Sequence, residues 1–496
     1  FSSQNEQDNR YYGKLAGLPV LEPSSVEEAH EMVRYAFELS EKVREPVLFR
    51  TTTRINHSTG VVTFADVEPV KTRGDFVKDP FSWVPIPAVA RNLHVKLLKN
   101  LEEARHLSES SPYNFIEGEG RWGIICNGVS YNYVRDGIKD LGIENRVKIL
   151  RIGFSHPLPE KMIKKFLSGC EKVLVAEEGE PYMEEAVKAF AQEEKLTLSI
   201  KGKARELFSR LYEFEPALVR KTMANYFEVP YTPAVSPDLS DIPEIPQRPP
   251  NLCAGCSHRA TYYIVKRAAE GMQTIYPTDI GCYTLGILPP LAMADYLLCM
   301  GSSLGTGCGF SKATDKKVIS FIGDSTFFHS GIAGLVNAIF NNHNMTLVIL
   351  DNGTTAMTGH QPNPGVDMAM LNLNGYGRVS IEEVVRAIGV PVVAAIEPFK
   401  VKKSIAAVRQ ALEYKGVSVV ISRQLCTLYA KSLKLDTKRV FKIGDKCRGH
   451  RNCIDDLGCP AFFTRDGKIQ IDAGLCTGCA VCAQICPENA IVPLKE

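Results

Sequence analysis

The sequence predicts an α/β chain of several parallel-sheet domains that ends in a small cysteine-rich α+β module. Three observations carry this. Short apolar runs alternate with amphipathic helical patterns between residues 119 and 200 and again between 251 and 425, the order of a parallel sheet with crossover helices. Residues 230–250, between the two blocks, hold seven prolines and few large apolar residues, the composition of a linker. The C-terminal segment carries the run Cys476-x2-Cys479-x2-Cys482-x3-Cys486-Pro487.

The elements follow in order. Ser24 or Ser25 caps a helix whose apolar positions are Val26, Ala29, Met32, Val33, Ala36, Phe37 and Leu39, and Pro46–Arg50 follows as a strand. Residues 51–120 are mixed, with a proline- and aromatic-bearing stretch at 80–87. Then strands at Gly123–Cys126, Val147–Ile152 and Lys172–Glu177 alternate with helices at Tyr131–Leu141, Pro159–Ser168 and Tyr182–Glu193. In the second block Gln273–Tyr276, Tyr296–Cys299, Val318–Ile322 and Met345–Leu350 read as strands, and His329–Asn341 as a helix. Phe462–Asp472 alternates about Asp466-Gly467 and reads as a β-hairpin.

Composition bounds the class. The chain has 496 residues, 45% hydrophobic and 23% charged, with net charge +2. That is globular material for three or four domains. The balance gives no argument for nucleic acid or an acidic membrane surface, and no apolar run reaches the length of a membrane helix. Fifteen cysteines in a chain this long point to a reducing cytoplasm rather than a disulfide framework. The chain begins at Phe1, and residues 1–10 read as the middle of something, which suggests a fragment.

The cysteine run says that the chain moves electrons. Three thiolates at every third position wrap one iron–sulfur cube, and a fourth Cys before Pro turns toward a second. A zinc site wants two separated Cys pairs and has no use for the Pro. Upstream, Cys447-x2-His450-x2-Cys453 and Cys459-Pro460 echo the run with a His in place of a Cys. This resembles the two-cluster bacterial ferredoxin module. The family's crossed ligation implies Cys447, Cys453, Cys486 and His450 for cluster one, and Cys459, Cys476, Cys479 and Cys482 for cluster two. His450 has three readings: an iron ligand, a neighbour of a cluster short of one site ([3Fe–4S]), or a plain surface histidine.

A second constellation lies in 251–425. Asp324, in Gly323-Asp324-Ser325, and Asn352, in Asp351-Asn352-Gly353-Thr354, stand at the carboxyl ends of consecutive strands, where open sheets bind ligands. An Asp carboxylate, an Asn amide oxygen and the Thr354 carbonyl are hard donors suited to Mg²⁺ carrying diphosphate oxygens. Gly323 lets backbone approach phosphate, and Gly301-Ser302 opens a helix that offers a second wall. A strand-end Asp that only caps a helix is the bland alternative. The pair of motifs together matches the thiamine diphosphate fingerprint. Leu252-Cys253-Ala254-Gly255-Cys256-Ser257-His258-Arg259 and Asp279-Ile280-Gly281-Cys282-Tyr283 also fall in this block. Cys256 and Cys282 read either as buried small residues or as residues beside the thiazolium ring. His258 reads either as a simply hydrogen-bonded histidine or as a group that polarises the substrate carbonyl.

With both cofactors on one chain, the sequence resembles the thiamine diphosphate 2-oxoacid:ferredoxin oxidoreductases, and the motif order resembles the large (α) subunit of the indolepyruvate branch. The carrying residues include Ser2-Ser3-Gln4-Asn5-Glu6-Gln7-Asp8-Asn9-Arg10, Gly323-Asp324-Ser325-Thr326-Phe327-Phe328-His329-Ser330-Gly331 and Thr355-Ala356-Met357-Thr358-Gly359-His360-Gln361. The resemblance implies five regions. They are the back part of a pyrimidine-binding domain (1–118), a transketolase C-terminal-like α/β domain (119–200), a helical segment and linker (201–250), the diphosphate-binding domain (251–430) and the ferredoxin-like module (438–496). It implies no position here for the Glu that activates the aminopyrimidine. It implies His258, Cys256 and Cys282 on the catalytic side, and Gly301, Ser302, Gly323, Asp324, Ser325, Asn352 and Thr354 around the cofactor. It further implies Mg²⁺, two [4Fe–4S] clusters, coenzyme A as co-substrate, a smaller β subunit in a hetero-oligomer, and external ferredoxin. The implied reaction is oxidative decarboxylation of arylpyruvates to aryl-acetyl-CoA. Another 2-oxoacid and a non-oxidative decarboxylase are the alternatives.

Overall fold

The computed structural model describes residues 7–64, 74, 76–203, 207–233, 238, 240–245, 249–371, 373, 375–435 and 439–494. Ser2–Glu6 of the first motif and part of the proline-rich linker lie outside the described residues. The chain divides into two units, Phe1–Ile242 and Pro243–Glu496. Among the described residues no helix is long and apolar enough to cross a membrane.

In the first unit five strands lie in the order Asn114–Glu117, Val147–Ile152, Trp122–Asn127, Lys172–Ala176 and Ser199–Lys201. Only the first pairs antiparallel; the others are parallel. Every residue of Trp122–Asn127 is buried, because helices cover both faces of this central strand. Successive side chains alternate between the faces. Trp122, Ile124 and Cys126 pack with Val134, Ile138, Val219 and Met223, while Ile125 packs with Ile163, Phe166, Met183 and Val187. A smaller sheet joins Leu48–Phe49, Val20–Leu21 and Phe154–His156. The helix Val26–Val43 is capped by Ser25, whose Oγ accepts the Glu28 N–H at 3.1 Å.

In the second unit Val392–Ile396, Val417–Arg423, Met345–Asp351, Lys317–Gly323 and Thr274–Ile275 form a parallel sheet in that order. One face packs Val318, Ile322, Leu347 and Ile349 under the helices Ser302–Ala313, Ile332–Phe340 and Ile381–Ala387. The other packs Ile319, Phe321, Val348 and Leu350 under Ser257–Ala268 and Val401–Glu413. The core of the cysteine module (Leu457, Ile469, Val481, Ile491) is continuous with this second face.

The module pairs Phe441–Ile443 with Ile491–Pro493, and Phe462–Arg465 with Lys468–Ile471. The hairpin turns at Asp466 and Gly467, both at positive φ (49° and 71°), as a two-residue primed turn demands.

Two expectations need correction. Tyr296–Cys299 is not a strand: only Tyr296 bridges, to Pro277. The Ser302 hydroxyl donates to the Cys299 carbonyl at 2.7 Å and accepts its N–H at 3.1 Å, so the segment's end is drawn into the turn that starts the next helix. The helix expected from His329 becomes regular only at Ile332, behind a wide turn at Phe327–Gly331. Such single-turn widenings recur at functional sites.

Candidate functional site

Three sheet strands deliver the site. Lys317–Gly323 and Met345–Asp351 run parallel and in register, Gly323 beside Leu350, so Asp324 and Asn352 emerge at one carboxyl edge. Both are buried, as are Thr354 and His258. Asp324 Oδ1 accepts the Ser325 N–H at 2.8 Å and Oδ2 the Gly353 N–H at 2.9 Å. Burial, with the charge of Asp351 nearby, pushes the Asp324 carboxyl up to about 7. A β-carbon at Gly323 would stand 2.8 Å from the Tyr283 ring, so only glycine brings this strand end so close to its neighbour.

His258 is fixed by two contacts. The Asn352 amide Nδ2 donates to His258 Nε2 at 3.3 Å, and the ring stands edge-on to Tyr283 at 5.8 Å. Burial pulls its pKa down to about 4, so the imidazole is neutral. With Nδ2 committed to His258, Asn352 presents its other atom, Oδ1, on the opposite side. There, among the described residues, the Thr354 N–H alone reaches it, at 3.4 Å. His258 therefore orients Asn352 as an oxygen donor.

Gly323, Asp324, Ser325, Asn352, Thr354, His258 and Cys282 line one cavity of about 100 Å³. Gly301 and Ser302 do not line it; Met300 does. Ser302 instead belongs to a bracket around Asp279, a residue to which sequence reasoning gave no role. Asp279 accepts the Ser303 N–H at 2.7 Å and its hydroxyl at 2.8 Å, and burial pushes its pKa up to about 6.

The donor set fits Mg²⁺ with a diphosphate. A buried carboxylate with a raised pKa is relieved by a cation, the Asn352 oxygen is turned out for one, and Gly323 clears the approach.

A second cavity of about 100 Å³ adjoins the first through His258, Cys282 and Asn352. Cys253, Cys256, Cys282 and Cys426 all line it, and Cys253 and Cys426 each act electrostatically on Cys282. Burial pushes Cys256 up to about 12 and Cys282 up to about 11. Sequence reasoning missed Cys426. Its signal was position: it lies three residues past Val417–Arg423, the strand beside Met345–Asp351, and its N–H donates to the Asn352 carbonyl at 2.9 Å.

The module thiols fall into two sets. Cys459, Cys476 and Cys479 act on Cys482, while Cys447 and Cys486 act on Cys453. The run and its upstream echo thus exchange one cysteine each. No group of three or more His, Cys, Asp or Glu among the described residues has the spacing of a single bound metal ion. His450 is half-exposed, with Nε2 on Glu488 Oε1 at 2.9 Å. The Cys253–Cys256 loop meets the module directly, since a β-carbon at Gly255 (φ +66°) would collide with Thr477 Oγ1.

Comparison with known proteins identifies the domains and the family. Residues 279–422 match the family described as "Thiamine pyrophosphate enzyme, C-terminal TPP binding domain", and residues 469–492 match "4Fe-4S binding domain". The chain is 46% identical to indolepyruvate oxidoreductase subunit IorA of Methanothermobacter thermautotrophicus over 99% of its own length and 80% of that protein's. It is 42% identical to the subunit of the same name from Thermococcus kodakarensis, over 100% and 80%. Among solved structures, the 2-oxoglutarate:ferredoxin oxidoreductase of Magnetococcus marinus aligns at 22% identity over 36% of this chain and 66% of that one, with a TM-score of 0.33.

Proposed function

We propose, for a chain that belongs to the indolepyruvate oxidoreductase subunit IorA family, that its thiamine- and iron–sulfur-dependent oxidoreduction is the oxidative decarboxylation of arylpyruvates. The balance is an arylpyruvate plus coenzyme A plus two oxidised ferredoxins giving aryl-acetyl-CoA, CO₂, a proton and two reduced ferredoxins. Thiamine diphosphate, when bound, supplies the electron sink for the carbanion left by decarboxylation.

The chain's residues hold and surround that chemistry. Asp324, Asn352 and the Thr354 carbonyl would hold Mg²⁺, which would anchor the diphosphate. His258 keeps Asn352 turned for this role. Met300 and Met357, half-exposed on the cavity wall, offer soft apolar surface for an aromatic side chain.

The observation that carries the reading is the convergence of cofactor donors and thiols at one sheet edge. Cys253, Cys256, Cys282 and Cys426 stand between the Asp324–Asn352 site and the module, in the number and setting of a cluster ligand set. They form a first station beyond the two in the module, and the catalytic role expected for Cys256 and Cys282 becomes ligation. Cys459, Cys476, Cys479 and Cys482 follow. Cys447, Cys453 and Cys486 with His450 form the exit. Glu488 on His450 Nε2 leaves Nδ1 for iron, the arrangement in which a carboxylate orients a ligating imidazole. A smaller β subunit and external ferredoxin complete the system.

An anaerobic assay of the protein with its co-purifying partner tests this, using a panel of 2-oxoacids, coenzyme A and a viologen dye. Arylpyruvates should give the highest kcat/KM, with dye reduction dependent on coenzyme A. Preference for pyruvate or a branched-chain acid would overturn the substrate assignment. Aldehyde release without dye reduction would overturn the oxidative one.

A further inference from the structure

Arg259 is fully buried within the helix Ser257–Ala268. Its Nη1 donates to the carbonyls of Leu457 at 3.0 Å and Gly458 at 2.6 Å. Its Nη2 donates to Asn251 Oδ1 at 3.0 Å and the Leu252 carbonyl at 2.5 Å, and among the described residues its Nε has no partner. Every acceptor is neutral. Among the described residues no carboxylate is its ion-pair partner, and the acidic groups that act on it are thiols: Cys459 first, then Cys256 and Cys253. Burial pulls its pKa below the ordinary arginine value.

A buried charge without a counter-ion is costly, and arginine does not escape by losing its proton. The missing anion must come from what those thiols hold. A cluster ligated by four thiolates is anionic and gains a further negative charge on reduction, and its potential responds to nearby charge. Arg259 faces two such sets at once. Cys459 belongs to the module's set beside Thr477, and Cys256 and Cys253 to the set beside His258.

We infer that Arg259 is the fixed counter-charge of the electron path, stabilising the reduced state of the cluster at Cys459, Cys476, Cys479 and Cys482 and of the thiol set at Cys253, Cys256, Cys282 and Cys426. This rests on the ligand sets proposed above. Its hydrogen bonds to Leu457 and Gly458 position the loop that presents Cys459, a task a neutral donor performs equally well. Charge and geometry are therefore separable by substitution.

The test compares Arg259→Gln and Arg259→Lys with the wild type, each purified anaerobically with its partner. Iron content and an EPR-monitored redox titration are the readouts. In Arg259→Gln the reduction equilibrium of the Cys459 cluster should fall at least tenfold, about 59 mV for one electron. The cluster at Cys447, Cys453 and Cys486 should hold its potential, and Arg259→Lys should stay within a few-fold of wild type. An unchanged midpoint in Arg259→Gln with full iron overturns the inference, as does an Arg259→Lys shift equal to that of Arg259→Gln. If Arg259→Gln does not retain iron, Arg259→Lys decides: retained clusters near the wild-type midpoint support the charge role, and their loss overturns it. A Cys459→Ser control separates this from the ligand assignment. Unaltered EPR and iron in that variant would sink the ligand sets themselves.

Discussion

The two five-stranded sheets treat the same edge in opposite ways. Both are largely parallel, and in both an acidic residue stands just past the carboxyl end of an inner strand: Glu177 after Lys172–Ala176, Asp324 after Lys317–Gly323. Glu177 is closed off. Arg10 Nη1 meets its Oε2 at 2.5 Å, and the Met183 and Glu184 N–H groups each donate to it at 2.9 Å. Asp8 binds the other side of the same guanidinium and takes the Glu180 N–H at 2.9 Å. Asp324 has backbone N–H partners and, among the described residues, no cationic side chain in an ion pair with it. The first edge carries its own counter-charge and so serves stability. The second is left short of one and so is ready to take a cation with its ligand.

Asp324→Ala should break the open edge. Thiamine diphosphate binding with Mg²⁺ is expected to weaken by at least a thousandfold, about 4 kcal/mol, by calorimetric titration, with iron content unchanged. Retained affinity would place the cofactor elsewhere. Glu177→Ala should break the closed edge instead, leaving Arg10 with Asp8 alone and the buried Met183 and Glu184 N–H groups without their acceptor. About 3–5 kcal/mol of stability should go, read as a lower denaturation midpoint, with little change in cofactor affinity. A large affinity loss there would erase the contrast between the edges.

Asp279 sharpens it further. Its folded-state pKa, about 6, lies above the ordinary 3.8. The folded state therefore holds its proton more tightly than the unfolded one. This group's contribution is most favourable below pH 4 and is lost as pH rises through 6, by roughly 3 kcal/mol. Asp279→Asn should flatten that part of the cofactor-free protein's stability–pH profile; a profile identical to wild type would discount the bracket. The smallest effect is expected at His450→Cys. Replacing a neutral ligand by an anionic one should lower the exit cluster's reduction equilibrium by roughly tenfold, about 59 mV, and an unchanged EPR titration would return His450 to the surface.

Much of this was legible where the signal is local. Val147–Ile152 and Tyr182–Glu193 take the bounds their apolar runs predict, and Asp466-Gly467 turns the hairpin it announces. Asp324 and Asn352 were readable because strand ends are marked by where apolar runs stop. What was not readable depends on distant partners. Arg10 and Glu177 are 167 residues apart, and His258 and Asn352 are 94 apart. No pattern within either segment encodes such pairs. Tyr296–Cys299 has the composition of a strand, yet the hydroxyl of Ser302, three residues beyond it, draws its end into a turn. Cys426 looked solitary because its companions come from two other segments, the Cys253–Cys256 loop and the turn at Cys282.

Gly255 gives way to Thr477 with no space for a side chain between them, and both belong to one polypeptide. On the path proposed above, electrons crossing that seam would make no collision on the way. The inner traffic is first-order, indifferent to dilution and to the ionic strength of the medium. The hand-over to a separate carrier is bimolecular and remains subject to both. On the proposed path, scarcity of that carrier would leave the inner stations filled and waiting, and the protein would become a short-lived store of reducing equivalents.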